Sequence, residues 1–314
     1  MIFSSQAQSL LKRLFAAVSL VLLASCGGGT TQVESFVPER YFAFGDEASF
    51  LDTSGRKFAV NAISADGRLN CEEQPIWVQQ IAGGYGFVFA ECNPSAVSDL
   101  RARMMARPGA RADDIGAQID AQLAAGGFRD KDLATLLTGA NDILELYAQF
   151  PARSEASLLA DARARGVRLG QAVNRLVGLG VKVVISTVPD MGLTPFGKAE
   201  RLAFQDIDRS AFLTQLTAAF NQQLGVTVLL DGRFVGLVQG DLQFQAIDRS
   251  PPSFGVTNVN TPLCTVALPQ CTTSTLIANA DLNGSLWADA TRFAAVAHTQ
   301  LASLALSRAR NNPF

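Results

Sequence analysis

The chain has 314 residues, 48% of them hydrophobic and 17% charged, so it can bury a sizeable core, and neither a disordered nor a fibrous protein fits. Its 26 basic and 28 acidic residues leave a formal charge of −2, without the basic excess that a nucleic-acid partner would require. A single histidine, His298, excludes metal centres built from several histidines, so no metal or other cofactor is expected, while five cysteines leave one to be explained.

In chain order, Lys12 and Arg13 precede an apolar run from Leu14 to Ala24, the pattern of an export leader and too short for a mature membrane span. The run ends in Leu23-Ala24-Ser25-Cys26. Small residues directly before a cysteine resemble the lipobox of bacterial lipoproteins. That resemblance implies a signal peptide over residues 1–25, a diacylglycerol on the Cys26 thiol and an acylated new amino terminus, so the membrane becomes a partner through the anchor. Several acyl chains at one terminus hold far more firmly than one. Gly27, at a position where Asp would direct retention at the inner membrane, points by the same resemblance to the outer membrane of the cell envelope. Removing Lys12 and Arg13 with the leader leaves 24 basic residues against 28 acidic, a net of −4. Residues 26–38 are Gly- and Thr-rich without helical period and read as a flexible tether, with one folded domain over 39–314. Outside the cytoplasm disulfides persist. The remaining cysteines pair naturally as neighbours, Cys71–Cys92 and Cys264–Cys271, although the sequence alone leaves other pairings open.

The first strand is Arg40-Tyr41-Phe42-Ala43-Phe44, running into a turn at Gly45-Asp46. Ile115, Ile119 and Leu123 fall four apart and predict a helix that Gly126-Gly127 stops. Leu133 to Leu137 is a second strand, followed by Thr138-Gly139-Ala140-Asn141-Asp142. A long helix is expected from about Glu155 to Leu179, with Leu169, Val173 and Leu176 on one face and Gly178 and Gly180 at its end. Val181 to Ser186 is a third strand, Leu213, Leu216, Phe220 and Leu224 mark another helix, Val226 to Leu230 reads as a fourth strand, and a helix from about Ala294 to Arg308 closes the chain. Ala62–Pro75 and about Phe244–Ser285 show no period. Strands that are apolar on both faces and alternate with helices predict an α/β fold, a flavodoxin-like parallel sheet covered on both sides in a single domain. Ligands of such sheets bind beyond the carboxyl ends of the strands, which directs attention to the turns at Gly45-Asp46 and Gly139–Asp142.

Those turns carry a resemblance. Phe44-Gly45-Asp46-Glu47-Ala48-Ser49 is similar to the first sequence block of the GDSL, or SGNH, esterase and lipase family, and Gly139-Ala140-Asn141-Asp142 to its Gly-x-Asn-Asp block. Thr187–Pro195, and Pro252–Asn258 followed by Cys264, resemble segments of its secreted lipase branch, and Trp287–Arg292 sits where the family ends in Asp-x-x-His. The blocks stand in order from Phe44 to His298. The resemblance implies an SGNH-hydrolase-like fold, an acyl-ester ligand, and a Ser-His-Asp site with an oxyanion hole made from backbone N–H groups and the Asn side chain.

Transferred residue by residue, Asp46, Asn141 and Asp289 keep the family's positions. The nucleophile position holds Glu47 and the histidine position holds Arg292; the family's glycine falls at either Gly55 or Gly67. Glutamate has no hydroxyl to acylate, and arginine stays protonated and cannot act as the general base. Ser49 is a candidate relocated nucleophile or a first-turn helix hydroxyl, and His298 a candidate base or a partly exposed helix residue. Asp46-Glu47 lacks a third ligand for a cation. Because both replacements are charged and opposite in sign, Glu47, Arg292 and Asp289 are expected to form one contiguous ionic cluster. Two functions follow: an ester hydrolase with an altered catalytic site, or a non-catalytic SGNH-fold lipoprotein that binds an acyl, glycan or protein ligand.

Overall fold

The structure is a computed structural model and describes residues 36–312 and 314. In chain order its strands are β1 (Arg40–Gly45), β2 (Ala62–Ile63), β3 (Leu69–Asn70), β4 (Ala102–Met104), β5 (Asp132–Leu137), β6 (Lys182–Ser186) and β7 (Val235–Val238). Its α-helices are α1 (Trp77–Gly84), α2 (Ile115–Ala124), α3 (Ala140–Tyr147), α4 (Glu155–Gly178), α5 (Pro195–Ala203), α6 (Arg209–Thr227), α7 (Gly240–Arg249) and α8 (Ala295–Asn311). β2 and β3 form a small antiparallel pair, whereas the other five strands make one parallel sheet in the order β4-β1-β5-β6-β7. That is the 2-1-3-4-5 order of flavodoxin-like sheets, with its switch point between β1 and β5.

The pleat explains why the strands read as continuously apolar. Tyr41 and Ala43 face the layer that holds Trp77, Ile81, Leu301 and Ala305 of α1 and α8. Phe42 and Phe44 face the opposite layer, with Ile115 and Ile119 of α2, Leu169 and Val173 of α4, and Phe220 of α6. Both sheet faces are therefore buried, as a parallel sheet requires. The predicted face of α4 is right: Leu169, Val173 and Leu176 are fully buried.

The fourth strand lies elsewhere than the sequence suggested. Val226 and Thr227 are the last turn of α6, and the N–H of Val228 donates to Leu224 O to close it. Leu229 and Leu230 are exposed, Asp231–Arg233 turns the chain, and β7 begins at Val235. A short apolar, β-branched run is compatible with either element, and here the helix simply continues through it. The edge strand β4 gave no periodic signal at three residues. The segment beginning at Phe244 is also not wholly irregular, because α7 extends to Arg249.

Both neighbouring cysteine pairs are bonded, Cys71–Cys92 and Cys264–Cys271, each with Cα atoms 5.7 Å apart. The first ties Cys71, in one aperiodic stretch, to Cys92 outside it, and the second closes a short loop within the other stretch. The fold begins slightly before residue 39: Pro38 is buried, and Phe36 packs edge-on against Phe314 with ring centroids 5.6 Å apart. The leader, Cys26 and the tether as far as residue 35 lie outside the described residues.

Candidate functional site

Two glycines shape the carboxyl edge of the sheet. Gly45 ends β1 with φ +127°, and a Cβ there would stand 2.0 Å from Leu137 O of the neighbouring strand. Gly139 follows β5 with φ +129°, and a Cβ would strike Val188 and Phe220. Only glycine lets both chains turn so close to the switch point. The turns deliver Glu47 into a short 3₁₀ segment, Glu47–Ser49, and Asn141 into the first turn of α3.

The two side chains meet there. Glu47 Oε2 accepts from Asn141 Nδ2 at 2.9 Å and from the backbone N–H of Gly109 at 2.8 Å. Glu47 Oε1 pairs with the Arg292 guanidinium. The guanidinium also donates to Asn141 Oδ1 at 3.0 Å and to Thr291 Oγ1 at 2.7 Å. Asn141 Nδ2 further donates to Ala110 O at 3.1 Å. Glu47 is 3% exposed, so its carboxylate is buried and held by charged and neutral donors, with Arg292 half-buried beside it. Burial opposes ionisation of Glu47, yet the Arg292 charge and the Asn141 and Gly109 donors outweigh it and hold the carboxyl below its usual range.

Asp46 takes the opposite course. Its Oδ1 caps the 3₁₀ segment by accepting from the Ala48 N–H at 3.0 Å. Burial, and then the charge on Glu47, push its carboxyl well above the ordinary range, so the two neighbouring carboxyls are shifted in opposite directions. The two side chains serve different partners and do not converge on a cation position.

Asp289 departs from the expected ionic cluster. Its Oδ1 accepts from the backbone N–H of Thr291 at 2.7 Å and of Arg292 at 2.6 Å, so it shapes the tip of the loop rather than pairing with the guanidinium. That loop is pinched at its base by a bridge between Trp287 and Phe293, and the Phe196 N–H donates to Ala290 O. Asp142 is buried as well; it accepts from the Ala112 N–H at 2.9 Å, and burial lifts its carboxyl to about 6 against that bond and the Arg165 charge.

Neither Gly55 nor Gly67 reaches the site. Gly55 packs beside Cys71, and Gly67 has open space around it. The glycine that donates is Gly109, just after the missed strand β4. A Pro-Gly turn, Pro108-Gly109, was the available signal, but without the strand it pointed nowhere.

Ser49 and His298 lie in the core instead. Ser49 is fully buried and its Oγ accepts from Trp77 Nε1 at 3.1 Å. His298 is 1% exposed, not on an open helix face; its Nδ1 accepts from the Trp77 N–H at 3.4 Å, leaving the proton on Nε2, which has no partner among the described residues. Burial, with the nearby Lys57 charge, pushes its pKa down to about 3. Beside Glu47 and Arg292 lies a narrow recess with apolar walls from Leu137, Val188, Met191 and Trp287 and polar groups from Asp46 and Thr291.

No family model matches this sequence, and no curated protein matches it. Among solved structures, the chain is similar to a lipolytic G-D-S-L protein from Veillonella parvula at 10% identity and a TM-score of 0.44, covering 85% of this chain and 96% of that one. It is also similar to an acetylxylan esterase from Geobacillus stearothermophilus at 15% identity and a TM-score of 0.43, covering 88% and 96%. A lipase from a goat rumen metagenome aligns at 14% identity with a TM-score of 0.42, covering 66% and 82%.

Proposed function

We propose that this chain is a lipid-anchored, SGNH-hydrolase-like protein of the cell envelope whose esterase-type site is closed by a Glu47–Arg292 latch, so that it binds rather than hydrolyses. One observation carries the reading: Glu47 Oε2 accepts from both Gly109 N–H and Asn141 Nδ2. Two donors converging on one oxygen have the arrangement that stabilises an oxyanion in acyl transfer. Here the occupant of that point is the protein's own carboxylate, and the arginine that completes it cannot accept a proton. The polar frame of an ester-hydrolysing site is thus retained while the nucleophile and base are gone. The recess beside it has the apolar walls that an acyl or similarly apolar group would need, and its volume of about 20 Å³ would have to widen to admit one.

The retained donors favour a second reading, an ester hydrolase with altered machinery, in which the Glu47 carboxylate attacks the ester carbonyl, the alkoxy C–O bond breaks to release the alcohol with a proton from water, and a second water hydrolyses the mixed anhydride to the acid and free Glu47. The two separate on short-chain p-nitrophenyl esters. The binding reading expects no turnover by the full chain above the uncatalysed rate, and a gain in the Glu47→Ser, Arg292→His double variant, which rebuilds nucleophile and base against the standing donors. Turnover by the parent that disappears in Glu47→Gln would establish the hydrolase instead. The anchor is read from Leu23-Ala24-Ser25-Cys26 and is tested by metabolic labelling with a fatty acid, which Cys26→Ala should abolish.

A further inference from the structure

Five of the ten large apolar side chains left exposed among the described residues stand at the amino end of the sheet, opposite the latch. Val226, Leu229 and Leu230 are 71%, 66% and 54% exposed, in the last turn of α6 and the loop that leads into β7. Leu179 is exposed in the adjoining turn between α4 and β6, and Val37 in the segment that enters β1. The loop is not a loose end that happens to be apolar. Asn174 of α4 donates through Nδ2 to Thr227 O and accepts through Oδ1 from the Leu229 N–H, both at 2.9 Å, and so fixes the two leucines outward. An ordered cluster of exposed apolar side chains marks an interaction surface.

Two further observations name what it meets. The chain enters the fold at this same end, where Phe36 is held against Phe314 and Asn312 donates to Val235 O at the start of β7. Nine residues separate Cys26 from Phe36, a reach of at most about 35 Å fully extended. The charges at this end also tip to the basic side. Arg129 and Lys182 stand here with no carboxylate within ion-pair distance among the described residues, against the single unpaired carboxylate of Asp130, whereas those of Glu39 and Asp231 are taken up by Lys131 and Arg233.

We propose that the amino end of the sheet is the face on which the domain rests against an anionic lipid surface, with Val226, Leu229 and Leu230 entering the headgroup boundary. The inference rests on the lipid-anchor reading for the tether, though not on the absence of catalysis. It sets the Glu47–Arg292 edge away from the bilayer, so the ligand of that edge arrives from the aqueous side rather than from the membrane beneath.

The test uses the full chain on vesicles of phosphatidylethanolamine and phosphatidylglycerol that carry a nitroxide-labelled lipid. A fluorophore is attached through Leu229→Cys in one preparation and through Leu202→Cys in another. Leu202 is 82% exposed near Arg209, the start of α6, at the other end of the molecule. Quenching several-fold stronger at position 229 than at 202 is the expected result, and a second reporter, Val226→Cys, should lose most of its quenching when Leu229→Glu and Leu230→Glu are added. Equal quenching at 229 and 202 overturns the docking face. Flotation with the vesicles separates this from the anchor: a chain that floats only when Cys26 is present yet quenches both reporters equally keeps the anchor and loses the face. A Cys26→Ala chain that still floats, with position 229 the more quenched, supports the face and removes the anchor.

Discussion

Two polar clusters in this molecule contain residues of the kind that perform catalysis, and they differ in what surrounds them. At the carboxyl edge, Glu47, Asn141 and Arg292 satisfy one another, and Arg292 helps to line an apolar recess. In the layer behind the sheet, Ser49, Trp77 and His298 hold a hydroxyl and an imidazole of catalytic type, but Trp77 donates a hydrogen bond to each. The nucleophile type has no access to solvent and the base type is held neutral. Residue type is a poor guide to chemistry when the side chain is read without its neighbours: the unreactive-looking pair occupies the candidate site, and the reactive-looking pair fills the core.

The largest expected effect tests whether the edge cluster is a closed ionic unit. Arg292→Ala strands a buried carboxylate and should destabilise the fold by roughly 3–5 kcal/mol in urea unfolding. Adding Glu47→Gln should recover a substantial part, because the neutral amide no longer needs the guanidinium. Failure of the second change to recover any stability would show that the pair is not coupled.

The core cluster should reveal itself by pH. His298 is held at about 3 against an ordinary 6.5, so over that interval the unfolded chain binds a proton that the native chain does not. Its contribution is fully present above 6.5 and is lost as pH falls towards 3, amounting to a few kcal/mol. Asp142 works in the other direction, because a carboxyl lifted from 3.8 to about 6 favours the native state below 3.8 and loses that contribution as pH rises through 6. The measurement is therefore a difference: Tm at pH 7 minus Tm at pH 4 should be smaller in His298→Leu than in the parent. An unchanged difference would place the acid sensitivity elsewhere.

Ser49→Ala should cost about 1–3 kcal/mol by leaving the Trp77 indole N–H without its acceptor, and it should leave any ester turnover untouched. Loss of turnover with stability intact would return Ser49 to the site. The smallest effect belongs to Asp289→Ala, about 1 kcal/mol, since it removes a side-chain acceptor for the Thr291 and Arg292 N–H groups and not an ion pair. A loss as large as that of Arg292→Ala would instead mean that Asp289 supports the guanidinium directly.

The local sequence was sufficient for much of this. Phe42 and Phe44 alternating with Tyr41 and Ala43 predict a strand buried on both faces, and Leu169, Val173 and Leu176 predict the face of α4, because both patterns follow from the period of one element. Opposite charges at Glu47 and Arg292 also pointed to a pair, since each replaced a residue expected to touch the other. What the periods could not reach was anything set by a second element. Val226–Leu230 is apolar enough for a strand, and only the continuation of α6 made it a helix end with outward leucines. Three-residue β4 exists because β1 offers it an edge to pair with, and without β4 nothing placed Gly109 beside Asn141. Sequence determined which residues stand at the carboxyl ends of the strands; tertiary structure decided that Glu47 would take the two donors there, that Asp289 would turn to the backbone, and that Ser49 and His298 would be sealed behind Trp77. The reason is physical: a chain's own pattern sets the direction of its side chains, while hydrogen-bond partners and burial come from segments tens to hundreds of residues away.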